Sequence, residues 1–280
     1  MSRHPAGTQV GAVHRLAVLR LKRRGVPRSA IVLAAVVGLQ VWGSAVLAAT
    51  VNGTAGNDVL RGTPAADVIR AGAGDDEVDA RGGNDKVFGG AGRDVLVLGR
   101  GADSAFDTQG PDVAYGGPGP DLAEGLFFAD LGRGNDRYRG VAACREVRFG
   151  PGQDIAPYDL VSAWGPCVLR GGPGNDSLAW AGSDAPGDSF STDIYGGPGA
   201  DILKGGYNDD TLVGGAGPDA LYADETVNPD RIFAGHGDDD VFFDGWPGGP
   251  PVHCGPGVDT VHNWLAPRRL VDCEVVIPAP

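Results

Sequence analysis

What the chain has little of narrows its class first. One Met in 280 residues, five His and 7% aromatic side chains leave few of the groups that enzymes use or that large globular cores are packed from. Beyond Ala49 no stretch repeats apolar residues at helical spacing, and no HExxH-like pair occurs, so His236 and His253 read as solvated side chains rather than zinc ligands. Positive charge is scarce as well. Seven of the 23 Lys and Arg lie in the first 48 residues, where Asp and Glu are absent; the remainder sets 16 basic against 36 acidic residues, a formal charge of −20. A phosphate backbone demands Lys and Arg, which excludes nucleic acid as a partner. An acidic chain of this density either repels itself open or binds cations.

Glycine fills the space left by the missing types. The 48 Gly and 21 Pro approach the level of low-complexity sequence, yet a hydrophobic content of 42% is enough to bury a core. The first 48 residues stand apart. Arg3, Arg15, Arg20, Lys22, Arg23, Arg24 and Arg28 precede the apolar run "AIVLAAVVGLQVWGSAVLA", Ala30 to Ala48, which ends in small residues. That order describes a secretory signal peptide over 1–48, cut after Ala48 or Ala49. A run of about 19 residues is also just long enough for a membrane anchor. Gly38, Gln40, Gly43 and Ser44 dilute it, and the expectation is an exported chain with no transmembrane span after cleavage.

From Gly53 the sequence reads in steps of nine: "GTAGNDVLR", "GTPAADVIR", "AGAGDDEVD", "ARGGNDKVF", "GGAGRDVLV", "LGRGADSAF", "DTQGPDVAY" and "GGPGPDLAE". The sixth place is aspartate in all eight blocks: Asp58, Asp67, Asp76, Asp85, Asp94, Asp103, Asp112 and Asp121. The eighth is always apolar, from Leu60 and Ile69 to Ala114 and Ala123. Further copies begin at Leu131, Phe149, Gly171, Gly196, Gly205, Gly214, Ala234 and Cys254, and place Asp136, Asp154, Asp176, Asp201, Asp210, Asp219, Asp239 and Asp259 sixth. Insertions are expected near 125–130, 158–170, 180–195 and 243–253. The resulting division is repeats over 49–157, an interrupted region over 158–195 with one strong repeat at 171–179, and repeats with a Cys-stapled cap over 196–280.

A repeat at fixed short period means a solenoid rather than a set of globular domains. Glycines at places one, two and four allow φ > 0 and a sharp turn that leaves carbonyls free. Places seven to nine suit one short strand with the eighth side chain facing in. Two blocks make a coil, so aspartates 18 residues apart stack at strand spacing, about 4.8 Å. Asp58, Asp76, Asp94 and Asp112 would line one edge, and Asp67, Asp85, Asp103 and Asp121 the other. Carboxylates at that spacing repel unless a cation lies between them. Oxygen ligands without Cys or His specify a hard ion, and a flexible cage suits Ca²⁺ better than Mg²⁺.

These blocks resemble the RTX nonapeptide repeat, glycine-glycine-x-glycine-x-aspartate-x-apolar-x, of hemolysin-type calcium-binding proteins. The resemblance implies an all-β fold, a parallel β-roll or right-handed β-solenoid, with Ca²⁺ between the turns of successive coils. It implies as ligands the turn carbonyls and the sixth-place aspartates named above. Two departures stand out. Arg145 occupies the sixth place of the block from Gly140 to Arg148, and the signal is N-terminal, whereas toxins and proteases of the family commonly leave by a C-terminal one.

Cys144, Cys167, Cys254 and Cys273, in an exported chain, read as disulfides; 144–167 with 254–273 is the favoured of three connectivities. The functional expectation is a secreted calcium-binding scaffold or adhesive surface with no enzymatic activity. One alternative is a solenoid that binds a cell-surface glycan or envelope component through Trp164, Trp180, Trp246 or Trp264. The other is a GDSL-like hydrolase, since "GDSFST" (Gly187 to Thr192) and "DTVH" (Asp259 to His262) imitate its Ser and His blocks. That chemistry needs a strand-to-helix elbow under Ser189 and a βα scaffold to bring His262 to it. The repeat supplies neither.

Overall fold

The computed structural model describes residues 47–107, 109–140, 144–157, 166–179, 191–206, 208–223, 230–243, 249–263 and 269–278. Most of the signal-peptide segment lies outside these residues, as do Ser189 and Trp164, Trp180, Trp246 and Trp264. Among the described residues the regular structure is all strand, and the strand pairing is parallel throughout. Alternate strands build two sheets. One of thirteen strands starts at Thr50–Asn52, and one of twelve starts at Val59–Arg61. The pairing Val59↔Glu77, Leu60↔Val78, Arg61↔Asp79 is a displacement of two blocks, so 18 residues make one coil. The architecture is the expected β-solenoid.

The interruptions are smaller than the sequence reading made them. Residues 125–130 are not an insertion but a contracted half-coil: Phe128 pairs with Val113, a step of 15 instead of 18. Strands at Cys167–Arg170, Thr192–Pro198 and Val252–His253 likewise keep the pairing going through regions expected to be insertions. Elsewhere coils lengthen without losing register, as where Asp193 pairs with Val168, and Arg231 with Thr211. A short strand that buries one side chain tolerates extra residues in the adjoining turn, because only the turn must change.

The eighth place faces inward along the whole roll; Leu60, Val78, Leu96, Tyr138, Leu178, Leu221 and Val261 are all fully buried. Place one is a second inward position, which the expectation of an inward eighth place alone overlooked. Ala71, Ala80, Leu98, Leu131, Phe149, Ala234 and Cys254 all stand there at 0% exposure. At Ala71, Leu131 and Ala234 the reason is strand length, whereas Ala80, Leu98, Phe149 and Cys254 are buried just past the ends of their strands. Several strands run on through places one to three, as Val68–Ala73 and Thr211–Ala216 do, and alternation then turns place one to the core. Where the eighth-place residues shrink to Ala114, Ala123 and Ala129, bulk returns nearby. Tyr138 pairs directly with Ala123, and its hydroxyl donates to the Leu126 carbonyl at 2.7 Å. Phe149 fills the next place one. Both expected disulfides are formed, Cys144–Cys167 and Cys254–Cys273, each with Cα atoms 5.2 Å apart.

Place one and place two need glycine for different reasons. Gly90, at place two, has φ 110°, and only a residue without Cβ adopts that freely. Arg81 holds the equivalent place in its block at φ 81°, a conformation disfavoured for any L side chain. Gly89, at place one, is not among the positive-φ residues; what it supplies is space. A methyl built there would overlap the carboxylate of Asp107 and stand 2.7 Å from Oδ2 of Asp94.

If place one faces the core, Leu98→Ala leaves a cavity and costs about 2–5 kcal/mol. Val97→Ala, at a place nine that is 37% exposed, costs under about 0.5 kcal/mol. Urea unfolding of both variants in calcium measures the difference, and equal losses would put Leu98 outside the core.

Candidate metal centre

The sixth-place aspartates end each turn just before the strand, so the solenoid sets them in two columns. They are buried although nothing cationic among the described residues pairs with them: Asp94, Asp112, Asp154 and Asp259 are 0% exposed, and no other of the sixteen expected positions exceeds 3%. The column beside the thirteen-stranded sheet is continuous. It runs through Asp67, Asp85, Asp103, Asp121, Asp136, Asp154, Asp176, Asp201, Asp219, Asp239 and Asp259. The column beside the twelve-stranded sheet is broken. Asp58, Asp76, Asp94 and Asp112 form one run and Asp210 a second, with Phe127, Arg145, Cys167 and Thr192 holding the aligned positions between.

Within a column one carboxylate oxygen has a fixed task. The backbone N–H of each aspartate donates to Oδ1 of the aspartate one coil on: Asp58 to Asp76 at 2.7 Å, Asp94 to Asp112 at 2.9 Å, Asp201 to Asp219 at 2.8 Å. Sequence reasoning set stacked carboxylates against a cation alone and missed these amides. The second oxygen is a different matter. In thirteen of the sixteen aspartates Oδ2 is buried with no hydrogen-bond donor. The other three have one: Thr54 and Thr63 donate backbone N–H groups to Asp58 and Asp67, and Gly206 donates to Asp210.

Where place one is glycine, the gap it leaves is lined by oxygen. A Cβ at Gly62 would lie 2.7 Å from Oδ2 of Asp67 and 2.5 Å from the Ala80 carbonyl oxygen, one coil on. At Gly196 the same gap meets Asp201 Oδ2 and the Gly214 carbonyl, and at Gly214 it meets Asp219 Oδ2 and the Ala234 carbonyl. Orphaned carboxylate oxygens, converging with carbonyl oxygens in a space without sulfur or nitrogen ligands, fit a hard divalent cation. They fit nothing apolar, since a buried carboxylate oxygen without a donor or ion is costly.

Three acids went unrecognised in the sequence. Asp230 is fully buried and accepts the Asp210 amide at 2.9 Å, although its block, Glu225 to Phe233, has no glycine. Glu274 ends the continuous column by accepting the Asp259 amide at 3.0 Å. In both blocks an acid two places before an apolar residue (Ile232, Val276) was the available signal. The third is Asp107, at place one instead of six. It gathers with Asp94 and Asp112 so that one oxygen from each lies within 4.8 Å of the others.

Burial moves these groups far from ordinary carboxylates. It raises Asp121 to about 8, helped by the charges of Asp103 and Asp136. Asp136, Asp154, Asp176 and Asp219 rise to about 7, and Asp76, Asp85, Asp94 and Asp239 to about 6, each chiefly through desolvation opposed by the backbone amide. In a metal-free roll the folded chain therefore holds protons that the unfolded chain, with carboxylates near 3.9, has released. Stability of the metal-free fold falls as pH rises through that interval. In chelator, acidification from pH 8 to pH 5 should raise the melting temperature. With saturating divalent cation the trend reverses, because protons then compete for the same oxygens. A melting temperature in chelator that is flat or falls over that range contradicts the buried columns.

A family model for the RTX calcium-binding nonapeptide repeat (4 copies) matches residues 52–87, 72–105 and 186–222. No curated protein matches the chain. The matched segments hold nine of the sixteen expected aspartates, all of them on the columns just described. The chain thus carries RTX calcium-binding nonapeptide repeats, part of an all-strand solenoid, and Ca²⁺ is the ion that such repeats bind.

Proposed function

We propose that this protein is a secreted scaffold whose rod form exists outside the cell because calcium is available there. In this reading the sixth-place aspartates are the ligands. Oδ1 ties each coil to the next through an amide, and Oδ2, with turn carbonyls, takes the ion. The observation that carries the reading is the set of thirteen buried Oδ2 atoms without donors, repeated along both columns. A single orphaned carboxylate is a local oddity, whereas a column of them is a site that needs many ions at once. Such sites fill cooperatively, and an affinity on the order of 0.1–1 mM suits extracellular modules. The two disulfides support an oxidising compartment.

A glycan-binding surface is less well supported by the outer faces. Tyr222, Phe242 and His262 follow one another at place nine, but they stack on each other at 4.6 and 4.3 Å, nearly parallel. Rings stacked in a row turn their edges to solvent, while a sugar packs on an open ring face. A scaffold whose adhesive chemistry lies elsewhere is the better reading.

The mature chain should be largely unfolded in chelator and β-rich in calcium, by circular dichroism. The same strand spectrum in both would end the reading. Asp201→Ala removes a ligand with a donor-free Oδ2 and should shift the calcium midpoint upward several-fold. Asp240→Ala removes only an exposed neighbour of His262 and should leave the midpoint in place.

A further inference from the structure

Place one is the position at which this chain departs most informatively from its own repeat. In the blocks above it is glycine, or an apolar residue packed in the core. The block from Asp107 to Tyr115 puts an acid there, 4% exposed. Its position is specific. At Gly53, Gly62 and Gly116 the place-one gap is approached by the backbone carbonyl of the place-one residue in the next coil: Ala71, Ala80 and Leu131. At Gly89 the corresponding oxygen is Oδ2 of Asp107, so a side-chain carboxylate stands where the roll elsewhere presents a neutral carbonyl.

Asp94 and Asp112 complete the setting. Both are 0% exposed, and the Oδ2 atom of each has no hydrogen-bond donor. Asp107 has only two amide contacts, from Gly90 at 3.1 Å and Gln109 at 3.2 Å, which are long for bonds to a carboxylate. Among the described residues this is the cluster in which three carboxylates bring ligand oxygens within 4.8 Å of one another. No Lys or Arg among the described residues is paired with any of the three.

We propose that Asp94, Asp107 and Asp112 form a single three-carboxylate cation site, different in composition from the repeat sites, that binds Ca²⁺ more tightly than they do and fills first. Replacing a neutral carbonyl with a carboxylate adds a full charge to the ligand set. Oxygen-ligand sites gain affinity with charge count and rigidity, and here both increase, because the carboxylates are held by the coil backbone. Three negative charges also match a trivalent ion, so a lanthanide should favour this site over sites with fewer carboxylates. The coil that holds the site lies inside the uninterrupted run of blocks from Gly53 to Glu124, so an ion bound there orders neighbours on both sides. The proposal rests on the calcium reading of the repeats and adds to it one site with its own stoichiometry.

The test is calorimetric titration of the full mature chain, stripped with chelator, using Ca²⁺ and separately Tb³⁺. Wild type should show one equivalent bound about tenfold or more tighter than the remaining sites, with the separation wider for Tb³⁺. Asp107→Asn keeps the side-chain shape and should remove the tight equivalent while the cooperative remainder and the calcium-induced strand spectrum stay. Asp107→Gly restores the residue that Gly89 and Gly116 represent at place one and should do the same, which decides the matter if the Asn variant fails to fold. A tight equivalent that survives both substitutions overturns the three-carboxylate site. A wild type with the cooperative transition and no tight equivalent overturns it too, while leaving the repeat reading intact. Absence of any calcium binding would remove both together.

Discussion

The structure depends on how a column of like charges is buried. Each sixth-place aspartate lies about one strand spacing from the next, inside the roll edge and away from water. One oxygen accepts an amide from the coil before, and that bond helps set the coil-to-coil register along with the strand pairing. The other oxygen is left facing a neighbouring carbonyl or carboxylate. A neutral polar atom in that position would cost a few kcal/mol, and a charged one more. The fold is therefore incomplete as a set of protein contacts alone. In the proposed function calcium answers the half of each carboxylate that the backbone does not.

Place one is where packing and ion binding compete for the same space. Glycine leaves room for Oδ2 and a carbonyl to meet, while Leu98 or Phe149 fills that room with carbon and thickens the core. The chain mixes the two, and the broken column shows the exchange at larger scale. Where Phe127, Arg145, Cys167 and Thr192 replace aspartate, the coils are held by other means. Tyr138 and Phe149 are buried, and the Cys144–Cys167 bond links neighbouring coils beside the place an ion would take. An aspartate column loses its charge repulsion and its ion together, and a covalent bond supplies the cross-coil tie.

Much of this was legible because the repeat is local. Period nine gave the strands, the two columns and the inward eighth place, since each depends only on a few neighbouring residues. The favoured disulfide pairs followed from cysteines at short separation. What was not legible depends on the neighbouring coil. Whether Ala71 points in is decided by how far its strand continues, and Leu98 is buried just past the end of its own, which no single block states. That Gly89 is needed for space and Gly90 for φ emerges only when Asp107 and Asp94 are seen from the adjacent turns. Asp230 was missed because the glycines around it are gone, although Ile232 two residues later kept the strand. The contraction at 125–130 read as an insertion because sequence shows a break in the pattern but not its sign.

The two columns differ, and that difference gives the rod two unlike edges. Along the thirteen-stranded sheet eleven aspartates and Glu274 follow without a break, so ions there can join the whole length. Along the twelve-stranded sheet the first run stops at Asp112 and the second begins at Asp210, with a disulfide between them. The middle coils thus have one aspartate column and rely on covalent and aromatic packing, while the N-terminal coils, and those around Asp210 and Asp230, have two. From Asp121 to Asp176 burial raises the continuous column furthest over a consecutive run, with Asp121 at about 8 and Asp136, Asp154 and Asp176 at about 7. Their carboxylates gain most from an ion and lose most without one. The covalent staple falls within that stretch of the roll, where the second column is missing.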